Sequence, residues 1–346
     1  MNINDMKIAI VGATGVVGST AIQILEERLH PKENIFPLAS KRSNGKKIKY
    51  LGDNLTVKEI NKDSFNGLNI AIFAAGGTVS EQFVDIAIKK GVFVIDKGSV
   101  FRRDPTIPLI VPEVNAKDID WHPGVVSTPN CTTTPLVMVI DAIRSLSKIT
   151  AAKVSTYQAV TGTGLLAKDE LIDQSKDFLS NKEIKSDIYP HQIAFNVLPH
   201  VDEFLDNGYT GEEDKMLFET RKILHDKDIN ISATCVRVPV ITSHSESVLL
   251  KLETEIIVEE IRSVVSDYPG MRLFDDTKNN IYPMPIFSAG NDDVLVGRVR
   301  KDIFDENTIS LYLSCDNLRK GAALNGIQIM DYAYKNNLLK PKSERS

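Results

Sequence analysis

Lys7-Ile8-Ala9-Ile10-Val11-Gly12-Ala13-Thr14-Gly15-Val16-Val17-Gly18 is the stretch that decides the fold. Its first five residues form an apolar run that reads as a buried strand. Three glycines follow at GxxGxxG spacing, and Ala21, Ile22, Ile24, Leu25 and Leu29 then recur with helical period. A strand that opens through glycines into a helix is the order a dinucleotide site needs. Gly12 permits a tight turn, Gly15 lets the backbone approach a pyrophosphate, and Gly18 lets helix and strand pack closely. The pyrophosphate would rest on the N–H groups at the helix start. Gly12, Ala13, Thr14, Gly15, Val16, Val17 and Gly18 are therefore candidate cofactor-binding residues, in a variant of the usual GxGxxG spacing.

Moving outward, a second strand over 34–39 ends about twenty residues past the glycines, where an acid would bind the ribose hydroxyls of NAD. The chain has Ser40-Lys41-Arg42-Ser43 instead. Hydroxyls and a planar guanidinium suit a 2′-phosphate, so Ser40, Arg42 and Ser43 favour NADP, with a solvated basic turn as the alternative. Further strands at 69–73 and 92–95 enclose an amphipathic helix through Phe83, Ile86 and Ile88. This alternation predicts a parallel, doubly wound sheet. Gly76 ends one strand at the level of the cofactor.

Val125-Val126-Ser127 reads as a strand, and Leu136, Val137, Val139, Ile140 and Ile143 as a helix. Cys131 lies between them in Pro129-Asn130-Cys131-Thr132-Thr133-Thr134-Pro135. A thiol there is either a nucleophile whose thiolate is favoured by the helix start or a small core residue. Beyond it the pattern changes. Strands are expected at 153–160, 229–234, 247–252, 294–299 and 308–313, with helices near 166–180, 212–224 and 257–266. That predicts an α+β domain on a mainly antiparallel or mixed sheet. A last helix over 318–334 returns to the first domain.

The 346 residues suffice for two cores, and a net charge of -5 implies no broad basic face for nucleic acid. Three scattered cysteines, with no CxxC spacing, imply neither a disulfide framework nor a metal site, and fit a reducing cytoplasm. No apolar run approaches the roughly 20 residues of a membrane span, and no leader segment is expected. His30, His122 and His225 read as surface residues, and the tail from Pro341 to Ser346 as a solvated end.

Four segments converge: the glycine loop, Pro129-Asn130-Cys131, Tyr157-Gln158-Ala159-Val160-Thr161-Gly162, and Cys235-Val236-Arg237-Val238-Pro239-Val240 with His244-Ser245-Glu246. Together they resemble the aspartate-semialdehyde dehydrogenase family over nearly the whole chain. The resemblance implies NADPH-dependent reductive dephosphorylation of L-aspartyl-4-phosphate to L-aspartate 4-semialdehyde and phosphate. That reaction serves the biosynthesis of lysine, threonine, methionine and diaminopimelate. It implies Cys131 as the nucleophile that forms a thioester, His244 as the acid/base and Gln158 as the group orienting the acyl chain. Arg237 would grip the substrate α-carboxylate, and Glu212 its amino group. Lys215, Arg102 and Asn130 would lie near phosphate. Gly162 and Asn317 join the cofactor residues, Asn317 near the nicotinamide carboxamide. Glu213 and Arg103 adjoin two of these positions, so either assignment can slip by one.

The implied architecture is a Rossmann-type NADP-binding domain over 1–130 with 318–346, and a catalytic and dimerisation domain over 131–317. A homodimer is implied, with a tetramer as the alternative. Arg237 and His244 are seven apart, which on one flat strand puts them on opposite faces, unless Pro239 breaks it. The chain also departs from the family pattern at Lys97, Thr132, Thr163 and Ser243, the last standing where a glycine is usual. Two rival readings are N-acetyl-γ-glutamyl-phosphate reductase and a non-catalytic NADP-binding paralogue.

Overall fold

The computed structural model describes residues 3–345. Readings that fall on Met1, Asn2 and Ser346 lie outside it. Its strands are β1 Ile8–Val11, β2 Ile35–Ala39, β3 Lys47–Tyr50, β4 Asp53–Thr56, β5 Lys58–Glu59, β6 Ile70–Phe73, β7 Phe93–Asp96 and β8 Val125–Ser127. They continue with β9 Ile149–Gln158, β10 Asn230–Arg237, β11 His244–Leu252, β12 Met271–Leu273, β13 Val294–Lys301 and β14 Thr308–Cys315. The helices are α1 Val16–Glu27, α2 Gly77–Lys89, α3 Pro112–Asn115, α4 Thr133–Arg144, α5 Leu165–Leu179, α6 Gly211–Leu224, α7 Val258–Asp267, α8 Pro285–Ser288 and α9 Leu324–Lys335. The chain divides into two compact units, Met1–Pro129 with Ala322–Ser346, and Asn130–Gly321.

The first unit holds a six-stranded sheet, β5-β2-β1-β6-β7-β8, in which every pair is parallel. Its central strands are apolar at every position because helices cover both faces. Ile8 and Ile10 pack with Ala21, Ile22 and Leu25 of α1 and Ile327 of α9. Ala9 and Val11 face the other way, with Phe83, Val84 and Ala87 of α2. Each fully buried Ile or Leu contributes about 1.5–3 kcal/mol. Gly12 leaves β1 at φ +85°, and a Cβ on it would come 2.6 Å from the Ala74 carbonyl oxygen. A Cβ on Gly18 would collide with Gly12 itself. The glycine loop is thus closed to larger residues at both ends.

The second unit holds the sheet β10-β9-β11-β14-β13-β12. β10/β9 and β12/β13 are parallel, and the remaining pairs antiparallel. The sheet is therefore mixed. Alternation along β10 buries Ile231, Ala233, Cys235 and Arg237 on one face.

Several boundaries differ from the sequence reading. The strand expected at 153–160 ends at Gln158, where the chain turns into a tight 3-10 turn over Val160–Gly162. The strand expected at 247–252 begins at His244. The last helix starts with a wide π turn over Arg319–Ala323 before α9.

His30 and His122 are not surface residues. His30 is buried with Nε2 3.0 Å from the Met6 carbonyl. His122 is fully buried against the Phe93 ring, 4.7 Å between centroids, and burial lowers its pKa to about 4. The sequence signal for a surface histidine was only the absence of a motif. Among the described residues no helix is long and apolar enough to cross a membrane.

Candidate active site

Asn130 builds the turn that presents Cys131. Its Oδ1 accepts from the Thr132 N–H at 2.9 Å and the Thr132 hydroxyl at 2.7 Å. Its own N–H donates to Glu219 of α6 at 2.7 Å, and its carbonyl accepts the Thr134 N–H. Thr132 is the N-cap of α4, so Cys131 stands one residue ahead of the helix, half-buried. Gly321 lies against it: a Cβ there would be 3.1 Å from the Cys131 Cβ. The two threonines after the thiol are fully buried.

The question of Arg237 and His244 is settled by topology. They do not share a strand. Arg237 ends β10 and His244 begins β11, and these strands flank β9 on either side. Arg237 pairs with Gln158 in parallel register, and His244 pairs with Cys315. The Ser245–Tyr157 pairing places His244 level with Gln158. Guanidinium, amide, imidazole and a second thiol thus occupy one rung on the buried face.

Glu212 is the hub below this rung. Its carboxylate accepts from Gln158 Nε2 and from Asn130 Nδ2, each at 3.0 Å, and from Lys215 Nζ at 3.2 Å. Burial pushes its pKa up, but Lys215, the Gln158 amide and Arg237 outweigh that and hold it below the usual value. Lys215 also donates to Asp202 at 2.6 Å. Burial lowers its proton affinity, yet the two carboxylates raise it above the ordinary lysine value. Glu213 is engaged elsewhere: it closes a capping box with Thr210 and accepts the Cys235 N–H at 2.9 Å. Of the two adjacent acids, Glu212 is the one that meets Asn130 and Gln158.

Arg237 donates through Nη1 to the Ala159 carbonyl at 2.8 Å and lies 6.0 Å over the Tyr189 ring. Its buried Nε has no acceptor among the described residues. His244 accepts the Ala159 N–H at Nδ1, 2.9 Å away. Turning the ring over would set a C–H against that N–H, so a neutral His244 carries its proton on Nε2. A Cβ on Gly162 would come 2.9 Å from Arg237 Nη1 and 3.2 Å from His244 Nε2, so this glycine separates the two. Asn317 and Thr161 meet each other at 3.2 Å beside Ser243. Burial pushes the Cys315 thiol far up, and Asp316 adds to this against Lys320. Gly321, which lies against Cys131, donates its N–H at 3.0 Å to the carbonyl of Asp316, the residue after Cys315 of this rung.

In the first unit, Gly15 caps α1 without any side-chain bond, between buried Ala13 and half-buried Val16 and Val17. Thr14 and Ser43 hydroxyls lie 3.2 Å apart. The Ser40 and Arg42 side chains are exposed on the turn that follows β2. Gly76 caps α2. Arg102 is buried and donates to the Gly98 and Lys97 carbonyls at 3.1 and 2.8 Å, whereas Arg103 is exposed.

Known proteins resemble the chain over nearly its whole length. Residues 7–122 match the model of the semialdehyde dehydrogenase NAD binding domain, and residues 140–320 that of the semialdehyde dehydrogenase dimerisation domain. An aspartate-semialdehyde dehydrogenase of Aquifex aeolicus is 48% identical over 96% of this chain and 99% of its own. That of Bacillus subtilis is 44% identical over 96% and 99%. The chain belongs to the aspartate-semialdehyde dehydrogenase family. A solved structure of aspartate semialdehyde dehydrogenase II from Vibrio cholerae, 38% identical, superposes with a TM-score of 0.90 over 95% of this chain and 98% of that one.

Aspartate-semialdehyde dehydrogenase motifs left four participants unmarked in the sequence. Tyr189 under Arg237, Thr156 donating to Gln158 at 3.1 Å, and Asp202 on Lys215 carry no local pattern. Glu246 stood in a quoted motif without a role. It is fully buried, and neither carboxyl oxygen meets a hydrogen-bond partner among the described residues.

Proposed function

We propose that this protein is an NADP-dependent phosphorylating aspartate-semialdehyde dehydrogenase, an oxidoreductase that reduces L-aspartyl-4-phosphate to the 4-semialdehyde. The observation that carries the reading is the rung itself. A buried guanidinium with an unmet donor, a carboxamide and an imidazole stand level, and the Cys131 thiol ahead of α4 packs on Gly321, which bonds the residue after Cys315 of that rung. A carboxylate-bearing acyl substrate fits that set. Arg237 grips the α-carboxylate in paired hydrogen bonds, and the ionised Glu212 receives the free amino group. Lys215, Asn130 and Arg102 take the phosphate.

The Cys131 thiolate attacks the acyl carbon. A C–S bond forms, and the C–O bond to phosphate breaks with its electron pair leaving on phosphate. Gln158 orients the acyl group, and the Nε2–H of His244 donates to the oxygen as negative charge develops on it. Bound NADPH would supply the hydride that reduces the acyl carbon. Cys131 then departs with its bonding pair, and the aldehyde is released. One proton is taken up per turnover and ends on phosphate.

Backbone packed against Gly12 and Gly18 leaves no room for a side chain there, so the loop turns tightly into α1, whose first N–H groups would hold a pyrophosphate. Ser40, Arg42 and Ser43 would hold the 2′-phosphate, Gly76 and Gly162 would border the cofactor, and Asn317 would approach the carboxamide. The second unit serves a homodimer. Three free thiols accord with a reducing cytoplasm. The test is phosphate-dependent oxidation of aspartate semialdehyde with NADP or NAD, on wild type and Cys131→Ala. Turnover with NADP that vanishes in the variant is expected. Turnover that survives Cys131→Ala, or preference for N-acetyl-glutamate semialdehyde, would refute the reading.

A further inference from the structure

Residues 238–243 carry the chain from Arg237 to His244, and they end on a backbone that serine adopts with difficulty. Ser243 has φ +79°, in the left-handed region, and is fully buried. Its hydroxyl makes no hydrogen bond among the described residues, so its side chain does nothing to hold that conformation. The hold comes from outside. The Ser243 N–H donates to Asn317 Oδ1 at 2.8 Å. An N–H can meet only the oxygen end of the amide, so this bond fixes how Asn317 is turned. Its Nδ2 then donates to the Thr161 hydroxyl at 3.2 Å. Thr161 is tied to the same connection, because its N–H donates to the Ile241 carbonyl at 3.2 Å. Asn317 and Thr161 are themselves 3% and 5% exposed, so water does not compete for these bonds.

His244 follows directly. Its ring is confined between the Ala159 N–H on Nδ1 and Gly162 beside Nε2. A rotation of the Ser243 peptide therefore has no compensating freedom in the ring. We propose that Asn317, backed by Thr161, is a positioning residue that sets the His244 imidazole by clamping the left-handed Ser243 backbone. This rests on His244 acting in the reaction proposed above. It also gives Asn317 work separate from any contact with the nicotinamide.

The test uses four full-length proteins: wild type, Asn317→Ala, Ser243→Gly and the double variant. Glycine takes φ +79° without outside help. Asn317→Ala is expected to lower kcat by about 100-fold, the scale of a 1 Å misplacement, with any change in KM for NADP reporting its separate contact with the carboxamide. Ser243→Gly alone is expected to keep kcat near wild type, and the double variant to regain most of what Asn317→Ala lost. In 13C-histidine-labelled protein, the His244 ring resonance should shift or broaden in Asn317→Ala and return in the double variant. A double variant as slow as Asn317→Ala, with KM for NADP raised in both, would overturn the proposal and assign the amide to the cofactor. So would an unperturbed His244 resonance in Asn317→Ala. If wild type fails to turn over aspartate semialdehyde, the functional reading falls, and the resonance series alone still decides whether the clamp exists.

Discussion

Glu246 sits in a place that disfavours an ionised carboxylate. It is enclosed on the buried face of β11, two residues from His244, and burial raises its pKa well above the ordinary value. The folded protein therefore binds a proton that the unfolded chain gives up near pH 4.3. Stability is fully present below that pH and falls as pH rises, by up to about 1.4 kcal/mol per unit, until the folded group ionises. Glu246→Gln keeps the shape and removes the titration. It should match wild type near pH 4.5 and melt at a higher temperature at pH 8, as read by calorimetry. At the other unit's cofactor turn, Arg42→Ala should raise KM for NADP by about tenfold, one lost charge-assisted hydrogen bond, and leave KM for NAD unchanged. Both residues were visible in the sequence, but to different depths. Arg42 follows a strand at a fixed distance from the glycines, so its place was legible. Glu246 stood in a recognised motif, yet its lack of partners is a property of the packed face that no spacing encodes.

At the scale of elements, α6 links the site to β10. Thr210 and Glu213 cap it reciprocally at 2.8 and 3.3 Å, and Glu213 also receives the Cys235 N–H. Thr210→Ala should cost about 1 kcal/mol in urea denaturation, the usual value of an N-cap. Glu213→Ala should cost more, since it also strands a backbone donor of β10. Because α6 carries Glu212 and Lys215, both variants should raise KM for the semialdehyde more than they lower kcat. The i, i+3 spacing of Glu212 and Lys215 was enough to put them on one face in advance. The rung of Arg237, Gln158 and His244 was not foreseeable from seven-residue spacing. It depends on β10 and β11 pairing with opposite edges of β9, a long-range choice. The strand–glycine–helix order of the first unit is local by contrast, and its sheet followed from alternation of apolar runs.

At the scale of the whole molecule, buried titratable groups draw stability in opposite pH directions. His122 is buried neutral in the first unit, with its pKa lowered to about 4. A histidine lowered from about 6.5 gives stability that is complete above that pH and lost as pH falls toward 4, roughly 3 kcal/mol in all. His30, lowered by burial as well, adds to it. Glu246 does the reverse in the second unit. Differential scanning calorimetry should therefore show a melting temperature that falls less steeply on acidification in His122→Gln than in wild type.

The partition has a practical side. Every group proposed to hold or transform the acyl chain except Arg102 belongs to Asn130–Gly321, whereas the glycine loop and the Ser40–Ser43 turn belong to the other unit. Coenzyme choice can thus be re-engineered within a short N-terminal window, and the stereochemical frame around the thiol is inherited untouched by any library confined there.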